Sequence, residues 1–118
     1  MMRTKNSVMR DVERSYNKLI AFQKREVTKD DNGIEEVSDW ITEITVYASV
    51  KSLFGKEYYE AKQVNKQETI KFIIRYIPNI SENMRILFDG KFYNIDYIEN
   101  IRYENRLLEI KAIEVNDD

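Results

Sequence analysis

The chain contains no cysteine and no histidine among its 118 residues, only one proline, Pro78, and only three glycines. Without cysteine there are no disulfides, thiolate nucleophiles or cysteine metal sites, and without histidine the commonest metal ligand and neutral-pH proton carrier is missing. Scarce glycine and proline leave no linker, low-complexity tract or repeat, so a single domain is expected. No run of about 18 apolar residues is present, and the N-terminal MMRTKNSVMRDVERS lacks the apolar centre and cleavage site of a secretory signal, which reads as an unexported protein with no membrane partner. Basic residues (19) and acidic residues (21) alternate to a net charge of -2, so no basic tract announces a phosphate backbone as main ligand.

What the chain does contain is alternation. Ile20 and Phe22 share one face of a first strand, and Lys29-Asp30-Asp31-Asn32-Gly33 then forms a dense turn signal, opening a hairpin or longer β connection. Ile44, Val46, Ala48 and Val50 alternate with polar residues in the longest strand, whose start can reach back to Val37, and Ile70, Phe72, Ile74 and Tyr76 mark the next. Pro78 ends regular pairing there. Met84, Ile86 and Phe88 lead through Asp89-Gly90 into Tyr93, Ile95 and Tyr97, a hairpin with a structural two-residue turn. Leu108, Ile110 and Ala112 form the last strand, joined near Glu104-Asn105. The pattern predicts a mainly β fold: a small antiparallel β-barrel or sandwich of about six strands occupying residues 16–118, closed so that no edge recruits other chains. Residues 1–15 form an N-terminal extension or helix, with Val8, Asp11, Val12 and Ser15 at helical spacing.

Between the second and third barrel strands, residues 52–67 break the alternation with a charged segment of helical character. Phe54, Tyr58 and Ala61 fall at i, i+4 and i+7 and can lay one stripe on the barrel, while Tyr58 and Tyr59 point to different helix faces, so one barrel cannot bury both. The segment thus reads either as a lid or as a subunit-contact or moving element.

Candidate chemistry is thin. Asp30, Asn32 and Gly33 fit part of a calcium loop, but Thr28 and Asp39 stand where its first aspartate and its glutamate belong, which leaves a turn. Glu57 and Glu60 share a helix face without any cleft to separate their pKa values. Asn79-Ile80-Ser81 matches a glycosylation sequon that has no meaning without export. Trp40, Tyr47, Tyr76, Tyr93 and Tyr97 can form a stacking surface for single-stranded nucleic acid, but without a positive groove they read better as core and interface packing.

The order of these features is informative. Trp40-Ile41, then Val46 to Val50, Gly55 to Gln63, Ile73 to Tyr76, Asn83 to Ile86 and Phe88 to Ile95 together resemble the head-tail joining (stopper, or head-closure) family of tailed bacteriophages, from about Ser15 to Val115. The resemblance implies a non-enzymatic virion neck protein without cofactor, assembled in the bacterial cytoplasm as a ring. Portal and adaptor proteins lie above, tail proteins below, and packaged double-stranded DNA in the channel is held weakly and non-specifically. It also places Phe54, Gly55, Lys56, Glu57, Tyr58, Tyr59, Glu60, Lys62 and Gln63 in a channel-closing or subunit-contact segment. Relatives commonly carry a serine where Phe54 stands, so the reciprocal helix cap with Glu57 is lost, and the N-terminal extension is about a dozen residues longer than in many of them.

Overall fold

The structure is a computed structural model and describes residues 16–53 and 68–115. The expected helices at 1–15 and 52–67, with every candidate residue from Phe54 to Gln63, therefore lie outside the described residues or, for 52 and 53, in their extended border. Among the described residues eight strands run in chain order: β1 (Lys18–Lys24), β2 (Val27–Lys29), β3 (Glu35–Val37), β4 (Ile41–Ser52), β5 (Thr69–Arg75), β6 (Arg85–Phe88), β7 (Lys91–Asn100) and β8 (Leu107–Glu114). Six of them close into an antiparallel barrel in the cyclic order β1-β4-β5-β8-β7-β6, and β2 and β3 pair only with each other. These six are the strands that the alternation predicts. Val37 belongs to β3 and not to the start of β4, because the chain leaves regular pairing between Ser38 and Trp40.

The barrel closes because each strand turns one apolar row inward. Ile20, Phe22, Ala48, Ile70, Phe72, Ile74, Ile86, Tyr93, Ile110 and Ala112 fill the interior at 2% exposure or less. Phe72 lies at its centre, with ring centroids 5.6 Å from Phe88 and 5.8 Å from Tyr93 and both contacts edge-to-face, the arrangement that aromatic quadrupoles favour. Asp89 (φ 53°) and Gly90 (φ 75°) form the two-residue turn between β6 and β7, with Phe88 facing Lys91.

Two bulges redirect the alternation. In β7, Ile95 pairs with Ala112 and Tyr97 with Lys111, leaving Asp96 over. Tyr97 is therefore turned outward at 37% exposure, contrary to its expected place beside Tyr93 and Ile95, and Ile98 packs against the core instead. In β4 the extra residue is Glu43, since Phe22 pairs with Ile44 and Gln23 with Thr42. That shift puts Phe22 and Gln23 both among the buried residues. Tyr76, expected to continue the inward row of β5, follows the last paired residue and is also 37% exposed.

Strand directions sort the connections onto the two barrel ends. The β2–β3 hairpin joins the end of β1 to the start of β4, and it shares its barrel end with the β5–β6 and β7–β8 connections. The opposite end carries the start of β1, the exits to residues 54–67, the Asp89-Gly90 turn and the end of β8.

Candidate assembly surfaces

Where the chain leaves β4 and returns in β5, both ends are fastened. Ser52 faces Ile70 in register, and the Leu53 amide donates to the Thr69 carbonyl at 3.0 Å. Glu68, the first described residue on the return, is the centre of a polar knot. Its backbone exchanges hydrogen bonds with Glu114, the Glu114 amide donating to its carbonyl at 2.8 Å and its own amide donating to Glu114 Oε2 at 3.4 Å. Its carboxylate accepts from Ser52 Oγ (3.4 Å) and from the buried Tyr93 hydroxyl (3.3 Å), and Lys91 Nζ lies 3.6 Å away. The anchors of residues 54–67 are thus tied to three neighbouring strands.

Burial pushes the Tyr93 hydroxyl pKa well above its ordinary value, and the charges of Glu68 and Glu114 add to the rise. The neutral phenol is therefore favoured in the fold, and its contribution is fully present below the unfolded value near pH 10. Above that pH the unfolded chain loses the proton while the native chain keeps it, so stability falls by about 1.4 kcal/mol per pH unit from this group. Urea midpoints measured at pH 8 and pH 10.5 should show this fall, and Tyr93→Phe should flatten it. An equally steep profile in the variant would assign the fall elsewhere.

At the other end, the root of the hairpin is bound to the outside of the barrel. The Arg85 guanidinium lies 3.7 Å from the Phe92 ring centroid and 4.4 Å from that of Trp40, and Arg25 lies 4.5 Å from Trp40. Arg85 Nε also donates to Gln23 Oε1 at 2.8 Å, which satisfies that buried amide, and Lys24 pairs with Glu43 at 3.1 Å, across the bulge. Planar guanidinium groups over aromatic faces hold position better than flexible ammonium groups do.

Beyond that root β2 and β3 are exposed at every position. Val27 and Val37 pair directly across the hairpin at 60% and 57% exposure, and Ile34 near the tip is 59% exposed. The tip is a turn: Asp30 Oδ1 accepts the amides of Asn32 and Ile34, each at 2.9 Å, and Gly33 takes φ 78°. Asp30 thus caps the loop, as the turn reading of this stretch expects.

The aromatic set does not form one platform. Tyr93 is in the core and Trp40 is stacked at the hairpin root, while Tyr47 and Tyr97 belong to β4 and β7, on opposite sides of the cyclic strand order. Sequence reasoning passes over Tyr103, 92% exposed in the β7–β8 connection, because a lone aromatic in a charged stretch carries no periodic signal. It also passes over Glu68, whose role arises from residues distant in sequence. Among the described residues no cluster of acidic side chains is placed to hold a metal ion.

Fold and surfaces together define a small closed β-barrel with a separate hairpin at one end and, at the other, a polar knot around Glu68 that fastens the ends of β4 and β5. The chain belongs to the phage head completion protein family, whose model matches residues 14–115, and its role is that of a structural component of the phage head or neck. In fold it is similar to the solution structure of protein SF1141 from Shigella flexneri 2a, at 23% identity and TM-score 0.68, covering 88% of this chain and 96% of that one. It is also similar in fold to a chain of the virion of a native gene transfer agent particle, at 18% identity and TM-score 0.57, covering 84% of this chain and 94% of that one. No curated protein matches it.

Proposed function

We propose that this protein is the stopper of a phage or prophage neck: a ring of copies below portal and adaptor that closes the DNA channel after packaging and offers the tail its attachment surface. The observation that carries the reading is the double anchoring of residues 54–67 on adjacent barrel strands through Leu53, Glu68 and Glu114. Such a mount fixes both ends of the segment on a rigid scaffold. In a ring, one such segment per copy narrows the channel by summation of weak contacts, so no strong affinity for DNA is required. Release on tail docking needs a two-state element somewhere in the ring. No catalytic step enters this role.

A phage carrying a null allele of this gene tests the reading. Packaged heads should accumulate without tails and lose DNA on storage, with complementation by the wild-type chain. Normal tailed particles in the absence of the chain would overturn it.

A further inference from the structure

The hairpin is acidic and the β7–β8 connection carries arginines on both sides of an exposed tyrosine, yet the two stand apart within one chain. Both stand on the same barrel end. In the cyclic strand order, however, the β1/β4 junction bearing the hairpin and the β8/β7 junction bearing the connection are separated by three strands in either direction. They therefore lie on opposite flanks of that end.

The hairpin stretch from Arg25 to Asp39 carries Glu26, Asp30, Asp31, Glu35, Glu36 and Asp39 against Arg25 and Lys29. Its apolar Val27–Val37 pair is more than half exposed, β2 and β3 pair with no barrel strand, and an isolated two-stranded hairpin is marginal in water. On the opposite flank Arg102 and Arg106 are exposed on either side of Tyr103 in the chain, while Glu104 is half-buried and Glu99 exposed. The connection holds Arg102, Tyr103 and Asn105 at φ 57°, 55° and 54°, a left-handed conformation costly for side chains as large as arginine and tyrosine. Asn100 and Asn105 enforce it through a 2.7 Å side-chain bond and a 3.1 Å bond from the Asn105 amide. Strain held in this way projects an aromatic ring into solvent between arginines.

We propose that the β2–β3 hairpin of one copy docks on the β7–β8 connection of the next, its Val27–Val37 face covering Tyr103 and its carboxylates meeting Arg102 and Arg106. The contact is heterologous, joining two different surfaces, so repetition gives a closed ring or an open filament and not a two-fold dimer. Made by one short hairpin on one connection, it forms weakly in solution and adds up when copies are arrayed on a platform. The inference rests on the ring reading above and specifies which surfaces make the ring.

The natural absence of cysteine makes a disulfide trap clean. Val37→Cys and Tyr103→Cys are prepared as separate full-length chains, both at exposed positions that leave the core untouched. Mixed at high concentration under mild oxidation, they should give the mixed disulfide in several-fold excess over either homodimer. The double variant, incorporated into particles, should give a covalent ladder of this chain alone. Statistical mixing in solution together with no ladder in particles overturns the proposal, as does a particle cross-link to a different protein. A particle that contains the chain but gives no ladder fails the hairpin contact while leaving the neck role standing, so the two failures are distinguishable.

Discussion

Replacing Phe72 by alanine is expected to lower stability by about 3–5 kcal/mol, enough to remove most of the margin by which a domain of this size stays folded. Phe72 is fully buried, and its edge-to-face contacts bridge Phe88 of β6 and Tyr93 of β7 from across the interior. Truncation loses the transfer free energy of the ring and opens a cavity that a closed barrel cannot collapse, because its walls are held apart by their own hydrogen bonds. Thermal and urea unfolding followed by circular dichroism should show the midpoint falling by about 10–25 °C, and Phe72→Leu should recover much of the loss. A shift below about 1 kcal/mol would mean that the interior is not packed around this ring.

The second large effect separates folding from function. If residues 54–67 are exchanged for a glycine-serine segment of equal length, barrel stability should change by no more than about 1 kcal/mol, since the loop that must be closed stays the same length. The anchors at Leu53 and Glu68 use backbone bonds to Thr69 and Glu114 that the exchange does not touch. Infectivity should nevertheless be lost, with the chain still incorporated and the filled heads leaking DNA. Particles of undiminished titre and full DNA content would show that this segment does not close the channel. A chain that fails to fold would show that the segment is part of the barrel's own packing, the lid reading set against the subunit contact at the outset.

The barrel was legible from alternation because each of its strands keeps an apolar row of at least two residues, and Asp89-Gly90 fixed one register outright. Tyr97 shows where that reading fails. A period of two carries no information about an inserted residue, so the bulge at Asp96 leaves the sequence looking regular while it exchanges the faces of everything beyond. Gln23 is the same failure in mirror image: a polar residue becomes buried because the extra residue lies on the partner strand, at Glu43. The assembly surfaces were less legible still. The turn at Asn32-Gly33 announced a hairpin, but only the closed strand order shows that it stands apart from the barrel and opposite Tyr103. The knot at Glu68 joins residues as far apart in sequence as Ser52 and Glu114, which no local pattern encodes.

The closure of the barrel has a mechanical side. β1 meets β4 over seven paired positions, and β5 meets β8 over seven, but the seam between β1 and β6 consists of three: Ala21 with Leu87, Phe22 with Ile86 and Gln23 with Arg85. Tension across the wall concentrates at that short seam, where the fewest paired residues share it. The side-chain bond between Arg85 and Gln23 acts there as an external rivet, and the same arginine clamps Trp40 at the hairpin root. A pull on the hairpin is therefore transmitted to the weakest line of the cylinder, making this arginine the coupling between whatever grips the hairpin and the integrity of the wall.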